Sequence, residues 1–202
     1  LKDNGIEPAP DREKHTTWKE FLKAHWDVMG ATDFTTVEVW TPRGLETYYI
    51  LVVMKLSTRR IEIAGITKNP DGVWMKQIGR NLIDCYDGFL LDIRYLILDR
   101  DTIFQPFTGF LKDSDTKVIL LPPRSPNLNA YMERYMRSMK SECLNKFIFF
   151  GEKPLRRAVK EFTEHYHFER YHQGIGNNII EPDDEVGFTF GEIKCRERLG
   201  GM

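Results

Sequence analysis

Cysteine is scarce in this sequence: Cys85, Cys143 and Cys195 stand far apart, with no CxxC pairing. That excludes a disulfide scaffold and a zinc ribbon, and it suits a reducing compartment. No apolar run reaches the roughly 20 residues that a membrane-spanning helix needs. No signal-peptide pattern opens the chain. A membrane partner is therefore not expected, and a cytoplasmic location is. Repeats and low-complexity tracts are missing as well. Net charge is nearly missing too: at −1, the overall balance argues neither for nor against a nucleic-acid partner.

What is present is an ordinary globular composition, 41% hydrophobic over 202 residues, enough for one large domain or one domain with flanks. The charge has a local pattern. Residues 123–160 hold nine Lys or Arg, Arg124 among them, against three Glu, so a basic stretch occupies part of the second half. The chain opens at Leu1 and stops at "RERLGGM", which reads as a fragment of a longer protein. "IEPAPDREK" reads as a linker, and "TTWKEFLKAH" as a short helix.

The pattern changes at Trp26. "HWDVMGATDFTTVEVW" is rich in β-formers, "TYYILVVMKL" is a continuous apolar run typical of a buried central strand, and "RRIEIAGIT" alternates as a strand with one wetter face. The short connection between the first two permits an antiparallel meander. Asn69-Pro70-Asp71 then predicts a helix start, with Trp74, Ile78 and Leu82 on one face. "RYLILD" and "KVILLP" are strands on either side of the amphipathic "FTGFLKDS". Ser125-Pro126 predicts the start of the next helix. A last helix fits 153–171, with Leu155, Val159, Phe162 and Tyr166 on one face. The order β-β-β-α-β-α-β-α-α predicts an α/β fold: a mixed five-stranded sheet with helices on both faces.

Three acids recur at informative places in that order. Asp33 lies inside the first strand, among Val28, Met29, Ala31 and Phe34. A carboxylate buried there without a partner is costly unless a cation accompanies it or the residue caps a turn. Asp99 ends the strand "RYLILD", and Asp101, two residues on, shares its face if the strand continues. Glu133 belongs to a polar stripe, Asn129, Glu133, Arg137 and Lys140, beside an apolar one of Leu128, Met132, Tyr135 and Met139. That Glu reads either as half of an ordinary Glu–Arg pair on a solvated face or as a metal ligand beside cations that meet phosphate. Three carboxylates on three converging elements suit hard divalent ions, Mg²⁺ or Mn²⁺, of the kind that serve phosphodiester chemistry in pairs.

"ATDFTTVEVW", "LILDRDTIF" and "SPNLNAYMERYMRSMKSECL" resemble the three signature blocks of the integrase catalytic core, the family of bacterial insertion-sequence DDE transposases and retroviral integrases. The resemblance covers roughly residues 26–181, and the interval 133 − 99 = 34 is close to the family's usual one. It implies a ribonuclease H-like fold and a catalytic, metal-holding triad of Asp33, Asp99 and Glu133, with Asp101 as a possible secondary acid. Asn129, Arg137 and Lys140 match positions that meet donor DNA, and Arg124 is carried with them from the basic stretch. "RYHQGIGN" resembles the stretch after the last helix in these transposases. Where the family often has Asp-x-Gly-Ser, this chain has Asp99-Arg100-Asp101-Thr102.

The implied organisation is a linker over 1–25 after a missing N-terminal DNA-binding region, a catalytic core over 26–181 and a tail over 182–202. The implied activity is polynucleotidyl transfer: metal-dependent hydrolysis at the element's end, then strand transfer into target DNA. It would involve two Mg²⁺ or Mn²⁺ ions, double-stranded transposon-end and target DNA, and a homo-oligomer on that DNA, with a bacterial, nucleoid-associated location. The rivals are a nuclease of the same fold and an inactive, domesticated DNA-binding core. His165, His167 and His172 lack a convincing fourth zinc ligand and are read as solvating or packing the last helix and its turn. Trp74, Tyr131, Tyr135 and Met139 are read as core.

Overall fold

Strand periodicity builds the centre of the molecule. The computed structural model describes residues 17–112, 114–122, 129–182 and 197–201. Strand β1 (Met29–Thr41) turns tightly into β2 (Gly44–Lys55), antiparallel from Gly30↔Lys55 to Thr41↔Gly44. Gly44 takes a φ of 110° to close that turn, a backbone state that glycine adopts without steric cost. Strand β2 is buried on both faces from Ile50 to Met54, as its unbroken apolar run predicts. Strand β3 (Ile61–Thr67) pairs antiparallel with β2 at the sheet edge.

Strands β4 (Tyr95–Leu98) and β5 (Lys117–Leu120) extend the other side of β1, each parallel to its neighbour, in the order β3-β2-β1-β4-β5. The helices divide between the two faces. Helix α2 (Gly72–Leu82) and helix α3 (Gln105–Leu111) cover Leu51, Val53, Leu96 and Leu98 through Met75, Ile78, Phe107 and Leu111. Helix α4 (Ala130–Glu142) and helix α5 (Glu152–Phe168) cover Met29, Ala31, Val52 and Ile97 through Met132, Tyr135, Leu155 and Phe162. The mixed sheet with helices on both faces is thus as expected. The expected apolar face of α5 is buried along its whole length. The expected start of α4 at Ser125-Pro126, and Leu128 of its stripe, lie outside the described residues.

Two features add to the expected order, and the short helix read in "TTWKEFLKAH" forms as well. Phe149–Phe150 form β6, a two-residue sixth strand parallel to β1 at Val39 and Trp40. Helix α1 (Trp18–His25) opens with a capping box between Thr17 and Glu20. Its Trp18, Phe21 and Leu22 lie on the α4–α5 core, with the Phe21 ring edge-on to Tyr95 at 5.4 Å. Near the other end of the chain, Arg198 bonds Glu161, Glu164 and Glu169 along α5.

Helix α2 starts where Asp71 accepts a hydrogen bond from the Trp74 N–H at 2.8 Å. Asp71→Ala should cost about 1 kcal/mol by orphaning that donor. Urea denaturation is the check: a lower midpoint with an unchanged slope is expected.

Candidate active site

The parallel register of β1 and β4 controls where the first two acids meet. Met29 pairs with Tyr95, Gly30 with Leu96 and Ala31 with Ile97, an offset of 95 − 29 = 66. The same offset carried on by two residues sets Asp33 abreast of Asp99, on strands spaced about 4.8 Å apart. Side chains two residues apart share a face. Asp33 therefore continues the side of Met29 and Ala31, and Asp99 that of Ile97. This is the side covered by α4, whose first turn carries Glu133.

The electrostatics agree with that placement. Asp33 is half-buried, and its pKa is pushed up from 3.8 to about 6, first by burial. The Phe34 N–H, which donates to Oδ1 at 2.8 Å, opposes the rise. The charges of Asp99 and Glu133 add to it, and Lys140 lowers it. Asp33 thus feels both other acids and one of the named cations. Asp33 lies in mid-strand and bonds only its own neighbour's N–H, so it caps no turn.

Asp99 and Asp101 differ in their surroundings. Asp99 is exposed and accepts a hydrogen bond from the Arg100 N–H at 2.7 Å. Asp101 accepts from the Ile103 N–H at 3.1 Å and caps the 3₁₀ turn Thr102–Phe104. The Arg100 side chain folds back to the end of β5, donating from Nε to the Leu121 carbonyl at 2.7 Å.

On α4 the helical salt bridge between Glu133 and Arg137 is not formed; the i,i+4 pairs among the described residues all lie on α5. Arg137 and Lys140 are exposed, on the same stripe of the helix as Glu133. Asn129 is buried at the helix start, and its Oδ1 has no hydrogen-bond partner among the described residues. Arg124 lies outside the described residues.

Among the described residues, no three His, Cys, Asp or Glu side chains are gathered tightly enough to ligate one ion as they stand. Carboxylates without a cation between them repel. The donor set of Asp33, Asp99 and Glu133 is all oxygen, which suits a hard divalent ion, and Asp33 is held where a nearby positive charge would relieve it. The histidines solvate or pack the last helix and its turn, His165 on the half-exposed side in a 2.9 Å contact with Glu169. His167 is buried and its Nε2 accepts from the Ile61 N–H at 2.9 Å, while His172 Nε2 donates to the Tyr166 carbonyl at 2.8 Å.

Tyr135 and Met139 are core as expected, and Trp74 packs against the α2–α3 core. Tyr131 is not core: it is 41% exposed and lies under the Arg59 guanidinium, 3.7 Å from its ring centre. Helical periodicity groups Tyr131 with apolar neighbours, but the β2–β3 turn that brings Arg59 over it leaves no such pattern.

Three comparisons bear on this arrangement. Residues 114–179 match the family model described as integrase core domain. An insertion-element protein of Xanthomonas euvesicatoria, the uncharacterized 39.2 kDa protein of IS476, is 28% identical over 72 residues. That match spans 36% of this chain and 21% of the relative's length. Among solved structures, the HTLV-2 integrase catalytic core domain, in its dimeric form with magnesium, superposes with a TM-score of 0.55 at 15% identity, over 77% of this chain and 97% of that one. The catalytic core domain of BIV integrase gives 0.51 at 14% identity, over 76% and 91%. The simian T-cell lymphotropic virus intasome in complex with a PP2A regulatory subunit gives 0.51 at 10%, over 72% and 50%. The fold is therefore the ribonuclease H-like fold of integrase catalytic cores, and the matched residues 114–179 include the third of the three sequence blocks. No helix among the described residues is long and apolar enough to cross a membrane.

Proposed function

We propose that this integrase-type core is a DNA polynucleotidyl transferase that uses Asp33, Asp99 and Glu133. The observation that carries the reading is the β1–β4 register up to Ala31↔Ile97, which, carried on by two residues, supports Asp33 abreast of Asp99 on the α4 side of the sheet, together with the Glu133 charge acting on Asp33. Divalent Mg²⁺ or Mn²⁺, two ions when fully loaded, would supply Lewis acidity to the phosphate and activate the attacking oxygen. The three carboxylates would hold the ions. Asp33 is suited to this because its own burial disfavours its lone charge. Glu133, on a helix rather than a strand, would close the site from the opposite side.

Arg137 and Lys140 lie one and two turns beyond Glu133 and would take backbone phosphates of the donor end, holding the scissile bond over the acids. Asn129 and Arg124 would extend that track past the start of α4. Water would serve as nucleophile in end cleavage, and the freed 3′-OH in strand transfer. The relatives described as dimeric and as an intasome support a homo-oligomer assembled on paired DNA ends. A span of 1–25 joining a DNA-end-reading region to a core over 26–181, followed by a tail, fits the same scheme.

The test uses a labelled donor duplex. End nicking followed by joining to a target plasmid in Mg²⁺ or Mn²⁺ is the expected result. Nicking without joining under any condition would instead indicate a nuclease, and DNA binding without nicking a non-catalytic core. A finer prediction concerns the cations: each neutralised phosphate contributes about 0.9 to the slope of log K against log salt. Arg137→Ala combined with Lys140→Ala should therefore flatten the slope by about 1.8. An unchanged slope and affinity would remove both residues from the interface.

A further inference from the structure

A cavity of about 380 Å³ opens on the other flank of α4, between that helix, the β2–β3 turn and the segment after α5. Arg134 and Ser138 line it, turned roughly 100° and 140° around the helix from Glu133 at about 100° per residue. It is therefore separate from the acidic site.

Arg59 sits at its base. The residue is only 8% exposed and holds a left-handed backbone, φ 65°, which is uncommon for a side chain of this size. Its guanidinium lies on Tyr131, with the Trp26 ring 5.2 Å away. No carboxylate pairs with it among the described residues, and its Nη1 is buried without a hydrogen-bond partner. Tyr135 also lines the cavity. A buried cation with no anion is a costly arrangement. The stack on Tyr131 offsets part of that cost but leaves Nη1 without a partner.

The surrounding charge is of one sign. Arg134 and Arg170 also line the cavity, and no Asp or Glu does. Arg170 is already matched by Glu142; Arg134 forms no ion pair among the described residues. At the rim, Tyr171 is 58% exposed and its ring stacks on no other aromatic ring among the described residues.

We infer that this cavity is a second anion site that takes a nucleoside phosphate, the phosphate on Arg59 and Arg134 and the base on the open face of Tyr171. A planar guanidinium presents paired donors that match phosphate oxygens. An aromatic face beside such cations accepts any base by stacking. The phosphate can belong to a free nucleotide or to a DNA strand passing the back of α4, and the chemistry of the contact is the same.

The test follows the side-chain Nε–H resonance of Arg59 by NMR, assigned by its loss in Arg59→Lys. Inorganic phosphate, a deoxynucleoside 5′-monophosphate and a single-stranded oligonucleotide are titrated in turn, with a chelator present. All three should shift the Arg59 signal, the nucleotide at lower concentration than phosphate. Arg134→Glu, at an exposed position, should weaken each by about tenfold or more, the scale of one lost charge-assisted contact. Tyr171→Ala should weaken the nucleotide and oligonucleotide and spare phosphate. Thermal unfolding of each variant verifies the fold. An oligonucleotide much tighter than the mononucleotide identifies a strand as the source, and equal affinities identify a free nucleotide. Absence of any Arg59 response, or unchanged binding in Arg134→Glu, would overturn the proposal. Equal affinity for phosphate and nucleotide, indifferent to Tyr171→Ala, would overturn its base-stacking half.

Discussion

Asp99→Asn should reduce DNA-end cleavage by on the order of a thousandfold or more, the several kcal/mol that metal-assisted charge stabilisation provides, while Asp101→Asn leaves activity readily measurable. The two acids are two residues apart, and the interval to Glu133 puts Asp99 ahead of Asp101. Their surroundings separate them. Asp99 follows directly on β4, where the β1–β4 offset carried on by two residues sets it opposite Asp33; it is exposed and, among the described residues, accepts only its neighbour's N–H. Asp101 is engaged in capping the 3₁₀ turn that leads into α3. An amide oxygen can still accept from the Ile103 N–H, so Asp101→Asn should keep the cap and cost a few tenths of a kcal/mol in stability at most. Single-turnover cleavage of a labelled donor end measures both. Equal loss from the two changes would mean a shared role, and the reverse order would move the site one step along the loop.

The second large effect is on stability and has the opposite sign. In metal-free buffer at pH 8, Asp33→Asn should make the protein more stable than the wild type by about 3 kcal/mol, roughly 6–12 °C in Tm for a chain of this size. The Asp33 carboxyl has its pKa raised in the fold from 3.8 to about 6, so the folded protein holds that proton more tightly than the unfolded chain. Below pH 3.8 both states are protonated and the difference vanishes. As pH rises from 3.8 through about 6, the unfolded chain ionises first and the fold loses stability, and above that range the penalty is complete. The uncharged amide avoids it. The Asn variant should thus match the wild type near pH 3.5 and exceed it increasingly up to about pH 6–7. Mg²⁺ should then raise the wild-type Tm and leave the variant's almost unchanged. Chemical denaturation across pH, with and without Mg²⁺, reads both effects. A variant less stable than the wild type at pH 8 would mean that the charged carboxylate has a stabilising partner within the fold.

Much of the architecture was legible because β-strand parity and helical periodicity act over short range. The unbroken apolar run of β2, the Asp71 start of α2 and the stripe from Leu155 to Tyr166 each reflect local burial, and each is as read. The meeting of Asp33 and Asp99 depended on more: two strands far apart in sequence had to pair in parallel with a particular offset. That offset is not encoded locally, and only the spacing of the family blocks suggested it. Strand β6 escaped notice because two residues are too few for a period to appear. Helix α1 was legible in "TTWKEFLKAH", but its packing on Tyr95 is a tertiary contact. Arg59 was invisible for the same reason. In the sequence it is one of two adjacent arginines after a strand, and its burial comes from a left-handed turn that folds it onto Tyr131.

The central claim is that Asp33, Asp99 and Glu133 form one divalent-cation site. Mn²⁺ binding followed by electron paramagnetic resonance, with the bound ion located by anomalous diffraction, tests it most directly. The account predicts an anomalous peak between the ends of β1 and β4 on the α4 side, with affinity lost by about tenfold or more in each of Asp33→Asn, Asp99→Asn and Glu133→Gln, since each removes a charged oxygen ligand. Mn²⁺ bound elsewhere, or with affinity indifferent to all three substitutions, would contradict it.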